Sequence, residues 1–262
     1  MFVLLYKNQI ITKSIIITGA GSGIGKSIAQ LAGERDFRVG VLDLDEEKAT
    51  EVASGIPNAI ALHASTTDPE KIEQALDKFG EVPDALVNNA GIVRFGSLID
   101  LPLSDWQSVL EVNLTGVFIC SQAVAQRMKD NGGGSIVNMT SVAGIQPNVG
   151  GGSYGSGKAG LHLLTRQMSV EWGDYLIRVN SVAPGFIDGG MSTPIFADSD
   201  IRSSRESRVP SRRLGTVHDV ANTVLFLCSD EASYVNGNQI VVDGGLTSSL
   251  MANFPRPESL TS

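Results

Sequence analysis

A tyrosine and a lysine one helical turn apart are the residues of this chain best suited to acid–base chemistry. Tyr154 and Lys158 stand in the segment GGSYGSGKAG (151–160). Residues four apart share one face of a helix, so the ammonium of Lys158 is expected close to the phenol of Tyr154. A nearby cation lowers the pKa of a phenol from its ordinary value near 10. The pair therefore predicts a tyrosine that exchanges protons near neutral pH.

The alternative interpretation is an ordinary surface pair, which stabilises a helix by only a few tenths of a kcal/mol. Glycines occupy positions 150–152, 155 and 157, and each glycine destabilises a helix by up to about 1 kcal/mol. Local preference is therefore broken around the pair, as expected at a functional site. We interpret the glycines as leaving open space for a cofactor and a substrate.

Short apolar runs alternate with helical patterns along the whole chain. The β-branched run SIIIT (14–18) is typical of a buried strand. Six further strands are predicted at 38–43, 59–63, 84–88, 135–140, 178–183 and 238–243. Helices are predicted at about 24–34, from 46, from 69, and at 104–130, 153–172 and 218–228. This alternation predicts a single-domain Rossmann fold over residues 1–262: a doubly wound, mostly parallel, seven-stranded sheet with helices on both faces.

Two segments do not follow the strand–helix pattern. Residues 186–213, the lid segment, are polar and weakly periodic, and we predict a mobile lid over the site. The C-terminal tail, residues 247–262, extends beyond the last predicted strand. For the tail two alternatives stay open, which are a crossing toward a neighbouring subunit and disorder.

Composition excludes several functional classes. The 262 residues are 42% hydrophobic and 18% charged with a net charge of −8, which indicates a globular core and no basic footprint for nucleic acid. The N-terminus lacks the basic region of a signal peptide, and no run of about 20 apolar residues predicts a membrane span. Cys120 and Cys228 are predicted to be buried free thiols, which indicates the cytoplasm. The three histidines show no metal-ligand spacing, so no metal site is predicted.

The first predicted strand runs into a glycine-rich turn, TGAGSGIG (18–25), that opens a helix. A GxxxGxG spacing brings backbone N–H groups and a helix N-terminus to the pyrophosphate of a dinucleotide. The alternative is an ordinary flexible turn. The candidate cofactor contacts in this turn are Gly19, Ser22, Gly23, Ile24 and Gly25.

Asp43 ends the second predicted strand, 18 residues after Gly25. A carboxylate at this position can bind both ribose hydroxyls of NAD, and it repels the 2′-phosphate of NADP. The alternative role of Asp43 is to cap the following helix, which Asp45 could do equally well. The motif NNAG (88–91) ends the fourth strand and suits close backbone approach to a ligand. The alternative is an ordinary Asn-rich turn, which is common.

The chain resembles the short-chain dehydrogenase/reductase family over about residues 12–247, through motifs that stand in the family's order. These are TGAGSGIG, NNAG, Asn113 in EVNLTG, Ser141 in MTSVAG, Tyr154-x-x-x-Lys158 and Pro184-Gly185. The resemblance implies an NAD(H)-dependent oxidoreductase that interconverts a secondary alcohol and a ketone. It also implies a homotetramer.

The resemblance assigns a role to each matching residue. Tyr154 would be the general acid/base. Lys158, together with the positive ring of an oxidised nicotinamide, would lower the pKa of Tyr154, and Lys158 would also hold the nicotinamide ribose. Ser141 would donate a hydrogen bond to the substrate oxygen, and Asn113 would anchor a water that links Lys158 to solvent. Further cofactor contacts would come from Asn89, Ala90, Gly91, Val182, Pro184, Gly185 and Ile187.

Four positions depart from the family pattern. Gly157 stands where Ser is usual, and Ser65 where an Asp usually holds the adenine. Gly189 lies in a stretch where a Thr often binds the carboxamide, and Arg212 is an additional residue in PSRRLG. None of these departures changes the proposed proton-transfer residues.

The identity of the substrate depends on weaker evidence. We favour a small polar alcohol, such as a polyol, a sugar-derived alcohol or a hydroxy acid. A 3-oxoacyl-[acyl-carrier-protein] reductase is one alternative, although Asp43 and the acidic balance oppose its need for NADPH and a basic docking patch. A catalytically inactive NAD(H)-binding sensor is the other. Five arginines and four acidic residues of the lid segment indicate a solvated face rather than an anion site. Arg94 could contact a polar substrate, or it could be an ordinary surface residue.

Overall fold

The computed structural model describes residues 13–254, in which seven parallel strands form one sheet. The strands are β1 Ser14–Thr18, β2 Arg38–Asp43, β3 Ala59–His63, β4 Ala85–Asn88, β5 Gly134–Met139, β6 Ile177–Pro184 and β9 Gln239–Val242. Their order across the sheet is β3-β2-β1-β4-β5-β6-β9. The order reverses direction between β1 and β4, and open α/β sheets bind ligands in the crevice at such a point.

Helices cover both faces of the sheet. They are α1 Gly23–Glu34, α2 Glu46–Ser54, α3 Pro69–Phe79, α4 Leu103–Leu110, α5 Gly116–Met128, α6 Tyr154–Glu171 and α9 Val217–Cys228. Successive residues of β1 point to opposite sides of the sheet. Ile15 and Ile17 pack into the core that includes α1 and α9, whereas Ile16 packs into the core that includes α3 and α5. These two cores confirm the predicted doubly wound fold.

The helix predicted at 104–130 is present as one helical stretch, Leu103–Met128, that changes its hydrogen-bond pattern in the middle. A π-helical turn at Glu111–Thr115 separates α4 from α5, and π-turns inside helices occur mostly at functional sites. By length and hydropathy alone, the stretch Leu103–Met128 could cross a membrane, but half of its most apolar window is buried inside the fold. A buried core helix passes the same test of length and hydropathy.

The lid segment contains more regular structure than its weak periodicity predicts. Short helices α7 and α8 span Thr193–Phe196 and Ser199–Arg208. Strand β7 (Ile187–Asp188) pairs with β8 (Gly215–Thr216) and ties the two ends of the segment together. A carboxylate oxygen of Asp198 accepts two backbone N–H bonds that start α8, which explains why a polar sequence forms a helix here.

The prediction of buried free thiols is confirmed for Cys120 and Cys228. Residues 1–12 and 255–262 lie outside the described residues, and the prediction about a signal peptide falls there. The described part of the C-terminal tail forms short 3₁₀ turns at Leu246–Ser248 and Leu250–Asn253.

Candidate active site

The glycine-rich turn between β1 and α1 is held in shape by hydrogen bonds from the end of β4. Gly19 and Gly23 have φ angles of +63° and +54°, a conformation that favours glycine. The amide of Asn89 donates to the carbonyl oxygens of Thr18 and Gly19, at 3.0 Å each. The hydroxyl of Thr18 accepts the N–H groups of Asn89 and Ala90. Sequence reasoning missed this role of Thr18, although the residue begins the motif TGAGSGIG.

Gly25 packs closely beneath this turn and is not among the residues that line the cavity formed by the turn, Asp43 and Tyr154, referred to below as the cleft; its predicted cofactor contact stays a prediction. A Cβ atom on Gly25 would overlap the carbonyl oxygen of Gly19 and come within 2.5 Å of the Asn89 amide. We expect Gly25→Ala to destabilise the fold by about 1–3 kcal/mol and to weaken NADH binding. Thermal unfolding and a fluorescence titration with NADH measure the two effects.

Gly173→Ala is the matched control, because a Cβ on Gly173 would meet nothing within 4 Å. It should leave both stability and NADH binding close to those of the wild type. Equal behaviour of the two variants would contradict the packing role of Gly25.

Asp43 stands at the carboxyl end of β2 and lines the same cleft. Its two carboxylate oxygens accept the N–H groups of Gly21 at 2.8 Å and Asp45 at 3.0 Å. These bonds fix the orientation of the carboxylate and leave each oxygen able to accept another hydrogen bond. Asp45, not Asp43, caps α2 by accepting the N–H of Lys48, so the capping alternative does not apply to Asp43.

Ser141, Tyr154 and Lys158 come together in the wall of the cleft. Ser141 follows β5, and its hydroxyl bonds to the Tyr154 hydroxyl and accepts the N–H of Ala143 at 3.1 Å. Tyr154 begins α6, and Lys158 lies one turn later on the same helix. The Lys158 Nζ donates to the carbonyl oxygen of Met139 at 2.6 Å and lies 5.6 Å from the centre of the Tyr154 ring.

Among the protein's own groups, burial has the largest effect on the pKa of Tyr154; the predicted lowering, by Lys158 together with an oxidised nicotinamide, stays a prediction. Burial raises the pKa of Tyr154, and the hydrogen bond with Ser141 offsets part of the rise. Burial also lowers the pKa of Lys158 from 10.5 to about 8, so its positive charge is only partly retained near pH 8. In addition, Lys158 directs its bond at the Met139 carbonyl. An additional positive charge at the site is needed to bring the pKa of Tyr154 toward neutrality.

The lowered pKa of Lys158 should make stability depend on pH. The folded state releases this proton near pH 8, whereas the unfolded state holds it until about pH 10.5. The contribution of Lys158 to the free energy of unfolding should therefore rise between these values, by up to about 3 kcal/mol. Urea unfolding of the wild type and of Lys158→Met from pH 7 to pH 10 measures this contribution as their difference.

Burial raises the pKa of Cys120 and of Cys228 to about 12, which lowers stability above pH 9 in both proteins. This effect cancels in the difference between wild type and variant. A difference that stays flat across the range would contradict the lowered pKa of Lys158.

Asn113 lies on the π-helical turn and is fully buried. Its amide donates to the carbonyl of Ile92 and accepts the N–H of Ile92, at 2.8 Å each. A Cβ on Gly91 would lie 3.1 Å from the Asn113 oxygen and 3.6 Å from the Nζ of Lys158. Asn113 thus holds the 91–92 backbone beside Lys158. Its side chain does not line the cleft, and the water that it would anchor stays a prediction.

The glycines near Tyr154 mainly allow close packing, so the prediction of open space is largely wrong. A Cβ on Gly155 would come within 2.7 Å of the Ala143 carbonyl, and one on Gly152 within 2.5 Å of the Arg94 carbonyl. A Cβ on Gly157 would lie 3.3 Å from the Cδ2 methyl of Leu110. Of these positions, only Gly150 has no neighbour within 4 Å among the residues described.

The cleft is one continuous cavity of about 1040 Å³. Val182, a predicted cofactor contact, is not among the residues that line this cavity. Its side chain is fully buried, and its carbonyl oxygen accepts a hydrogen bond from the Thr140 hydroxyl. A cavity of this size, lined by the glycine-rich turn and by Tyr154, fits a dinucleotide and a small substrate. Predicted residues that line it are Gly19, Ser22, Gly23, Ile24, Asp43, Asn89, Ala90, Gly91, Ser141, Tyr154, Lys158, Pro184, Gly185 and Ile187.

Two of the departures from the family pattern also line the cleft. Ser65 follows β3, and its hydroxyl bonds to that of Thr67 at 2.8 Å. Gly189 and Gly190 lie near the start of the lid segment, and a Cβ on Gly23 would come within 2.8 Å of the Gly190 Cα. The lid backbone therefore lies directly against the glycine turn, where only glycines fit. The sequence did not reveal this contact.

Comparison with known proteins agrees with this geometry. A family model described as Enoyl-(Acyl carrier protein) reductase matches residues 19–247. A 3-oxoacyl-[acyl-carrier-protein] reductase from Thermotoga maritima is 40% identical over 242 residues, which cover 89% of this chain and 97% of the relative. The chain therefore belongs to the short-chain dehydrogenase/reductase family, and it is an oxidoreductase.

Solved structures of proteins named as different enzymes share this fold. A putative gluconate dehydrogenase from Agrobacterium tumefaciens is 31% identical with a TM-score of 0.87, covering 91% of this chain and 97% of that one. A gluconate 5-dehydrogenase from Burkholderia cenocepacia, solved with NADP and tartrate, is 32% identical with a TM-score of 0.86, covering 91% and 96%. A 3-oxoacyl-[acyl-carrier protein] reductase from Brucella melitensis, solved with NAD, is 32% identical with a TM-score of 0.82, covering 89% and 90%.

Proposed function

We propose that this protein is an NAD(H)-dependent oxidoreductase that interconverts a small polar secondary alcohol and its ketone. The observation that carries the proposal is the grouping of Ser141, Tyr154 and Lys158 in one cleft with the glycine-rich turn and Asp43. A hydrogen-bonding serine and a buried tyrosine suit an oxygen that gains or loses a proton. The glycine turn and Asp43 suit a dinucleotide.

Each residue of the site has a defined task. Ser141 and Tyr154 bind the substrate oxygen, and Tyr154 removes its proton in oxidation or returns it in reduction. Lys158 supplies positive charge close to the phenol and is held in place by the Met139 carbonyl. The nicotinamide, when bound, supplies the hydride acceptor or donor and, in its oxidised form, a positive charge beside Tyr154. Burial of the site strengthens these electrostatic interactions.

The preference for NAD is supported by Asp43. Its carboxylate is fixed beside the glycine-rich turn by N–H bonds from Gly21 and Asp45. A 2′-phosphate would meet this negative charge at close range, whereas ribose hydroxyls would donate to it. The solved relatives include one with NADP and one with NAD, so the preference of this chain depends on its own residues.

The names of the relatives support two different substrate classes. The gluconate dehydrogenases among the relatives favour a polyol or a hydroxy acid. The relative from Thermotoga maritima favours a 3-oxoacyl thioester as the second candidate. Asp43 and the net charge of −8 oppose the second candidate, since its carrier protein needs a basic docking patch. An inactive sensor is disfavoured by the intact Ser141, Tyr154 and Lys158.

We also propose a homotetramer in the cytoplasm. Exposed apolar side chains on the outer faces of α5 and α6 support an oligomer, namely Phe118, Leu163 and Val170. The two buried free thiols suit a reducing compartment. Light scattering after size-exclusion chromatography measures the mass in solution, and a monomer would contradict the oligomer.

A substrate panel tests the proposed function. Purified protein is mixed with NAD or NADP and with polyols, sugar alcohols, hydroxy acids, simple secondary alcohols and a 3-hydroxyacyl thioester, and the absorbance of reduced cofactor is followed. Turnover of a polar alcohol with NAD is expected. Turnover of the thioester alone would favour the second candidate, and tight NADH binding without turnover of any compound would favour a sensor.

A further inference from the structure

The arginines of the lid segment differ in their partners, and two of them are paired with acids. Arg202 contacts Asp188 at 2.6 Å and Glu206 at 3.2 Å. Arg213 contacts Asp219 at 2.7 Å. Both guanidinium groups already have carboxylate partners within the fold, so neither offers a free charge to a ligand.

Two more arginines are used for packing and for closing a turn. The guanidinium of Arg205 stacks over the rings of Phe186 and Phe196, at 4.6 Å and 5.3 Å from their centres. Arg212 donates to the carbonyl oxygen of Ser207 at the end of α8. Their positions are therefore explained by the structure of the lid segment itself.

Arg208 differs from these four. It is the last residue of α8, it lines the active-site cleft, and its side chain is exposed. Within residues 13–254, no acid, carbonyl or aromatic ring bonds to it. The next residue, Val209, is only 2% exposed and packs against the 244 backbone, where a Cβ on Gly244 would come within 2.7 Å of it. The backbone of Arg208 is thus anchored while its guanidinium stays available.

Few charged residues line the cleft, and each of them has a different role. Among its described lining residues, the charged ones are Asp43, Lys158 and Arg208. Asp43 stands at the glycine turn, and Lys158 is buried beside Tyr154. Arg208 is left as the charged group that the lid segment brings to the cleft. A buried lysine with a carbonyl partner cannot reach a distant part of a substrate, whereas an exposed arginine can.

We propose that Arg208 binds the carboxylate of a hydroxy-acid substrate and so selects the substrate class, an inference that rests on the proposed function. The planar guanidinium presents two parallel N–H groups that match both oxygens of a carboxylate. The carbinol of the same molecule lies between Ser141 and Tyr154. Arg208 is a specificity-determining residue in this assignment and takes no part in proton transfer.

A monocarboxylate fits this end of the cleft better than a more highly charged anion. One guanidinium neutralises one negative charge, and the protein as a whole carries a net charge of −8, which repels polyanions. Beside the polar Ser192, the lid segment brings the apolar side chains of Phe186, Met191 and Ile195 to the cleft wall, and the C-terminal tail brings Leu250. These side chains suit the carbon skeleton between a carbinol and a carboxylate.

The test compares charged and neutral forms of one substrate. Wild type, Arg208→Gln and Arg208→Lys are assayed with 2-, 3- and 4-hydroxy acids and with their methyl esters. For the preferred acid, Arg208→Gln should lower kcat/KM by about 10- to 100-fold, in the range of a lost charge-assisted hydrogen bond. The ester should change less than threefold, and Arg208→Lys should restore part of the loss for the acid.

Arg94→Gln is the matched control, because Arg94 is exposed, donates to the neighbouring carbonyl of Val93 and does not line the cleft. Arg94→Gln should leave the ratio of kcat/KM for the acid to kcat/KM for the ester unchanged. An equal loss for acid and ester in Arg208→Gln, a loss in Arg94→Gln instead, or a preference for phosphate-bearing alcohols would each overturn the assignment. If every variant converted esters and acids equally well, the assignment of Arg208 would be overturned, whereas the proposed oxidoreductase function would stand. No turnover of any alcohol would overturn both.

Discussion

Replacing Tyr154 by Phe should lower kcat by about 10³-fold while NADH binding changes less than threefold. General acid–base groups contribute about 10²- to 10⁴-fold to a rate, and among the described residues Tyr154 is the titratable group bonded to Ser141. The phenylalanine ring keeps the shape of the buried site but loses the hydroxyl that bonds to Ser141. Steady-state rates in both directions and a fluorescence titration with NADH measure the two quantities.

Ser141→Ala provides the comparison for this variant. Ser141 holds the oxygen without carrying the proton, so its loss should be smaller, about 10- to 100-fold in kcat, in the range of a lost hydrogen bond to a charged group. Activity of Tyr154→Phe above one tenth of the wild type would show that another group transfers the proton.

The second large effect concerns the choice of cofactor. Asp43→Asn should lower the preference for NAD over NADP, expressed as a ratio of kcat/KM, by about 10- to 100-fold. The reason is the removal of a charge that binds ribose hydroxyls and repels a phosphate, each such interaction being worth about 1.5–3 kcal/mol. Kinetics with both cofactors and one fixed alcohol measure the ratio.

Asp45→Asn is the matched control, since it makes the same charge change two residues away. Asp45 caps α2 by accepting the N–H of Lys48, and asparagine caps helices about as well as aspartate. The cofactor ratio should therefore stay constant. A wild type that prefers NADP, or an unchanged ratio in Asp43→Asn, would contradict the account of Asp43.

The sequence was sufficient for the features that depend on periodicity and on chain order. The β-branched run of β1 and the alternation of strands and helices predict the seven-stranded sheet because burial on both faces requires such runs. The position of Asp43 follows from the end of β2, and the shared face of Tyr154 and Lys158 follows from helical spacing. These inferences need no knowledge of distant contacts.

Other features depend on contacts between segments far apart in the chain. The role of Thr18 requires the end of β4 beside it, and the close packing of Gly155 requires the Ala143 carbonyl. The pKa of Tyr154 is set by burial, which the i,i+4 spacing alone does not reveal. The availability of Arg208 emerged only once the partners of the other lid arginines were known.

The most direct test of the central claim is a single-turnover measurement with enzyme in excess over NAD and with the best alcohol of the panel. The account predicts a rapid rise in the absorbance of reduced cofactor for the wild type, and a rise about 10³-fold slower for Tyr154→Phe with the same final amplitude. Equal rates in the two proteins would contradict the role of Tyr154 as the acid/base of an alcohol–ketone oxidoreductase.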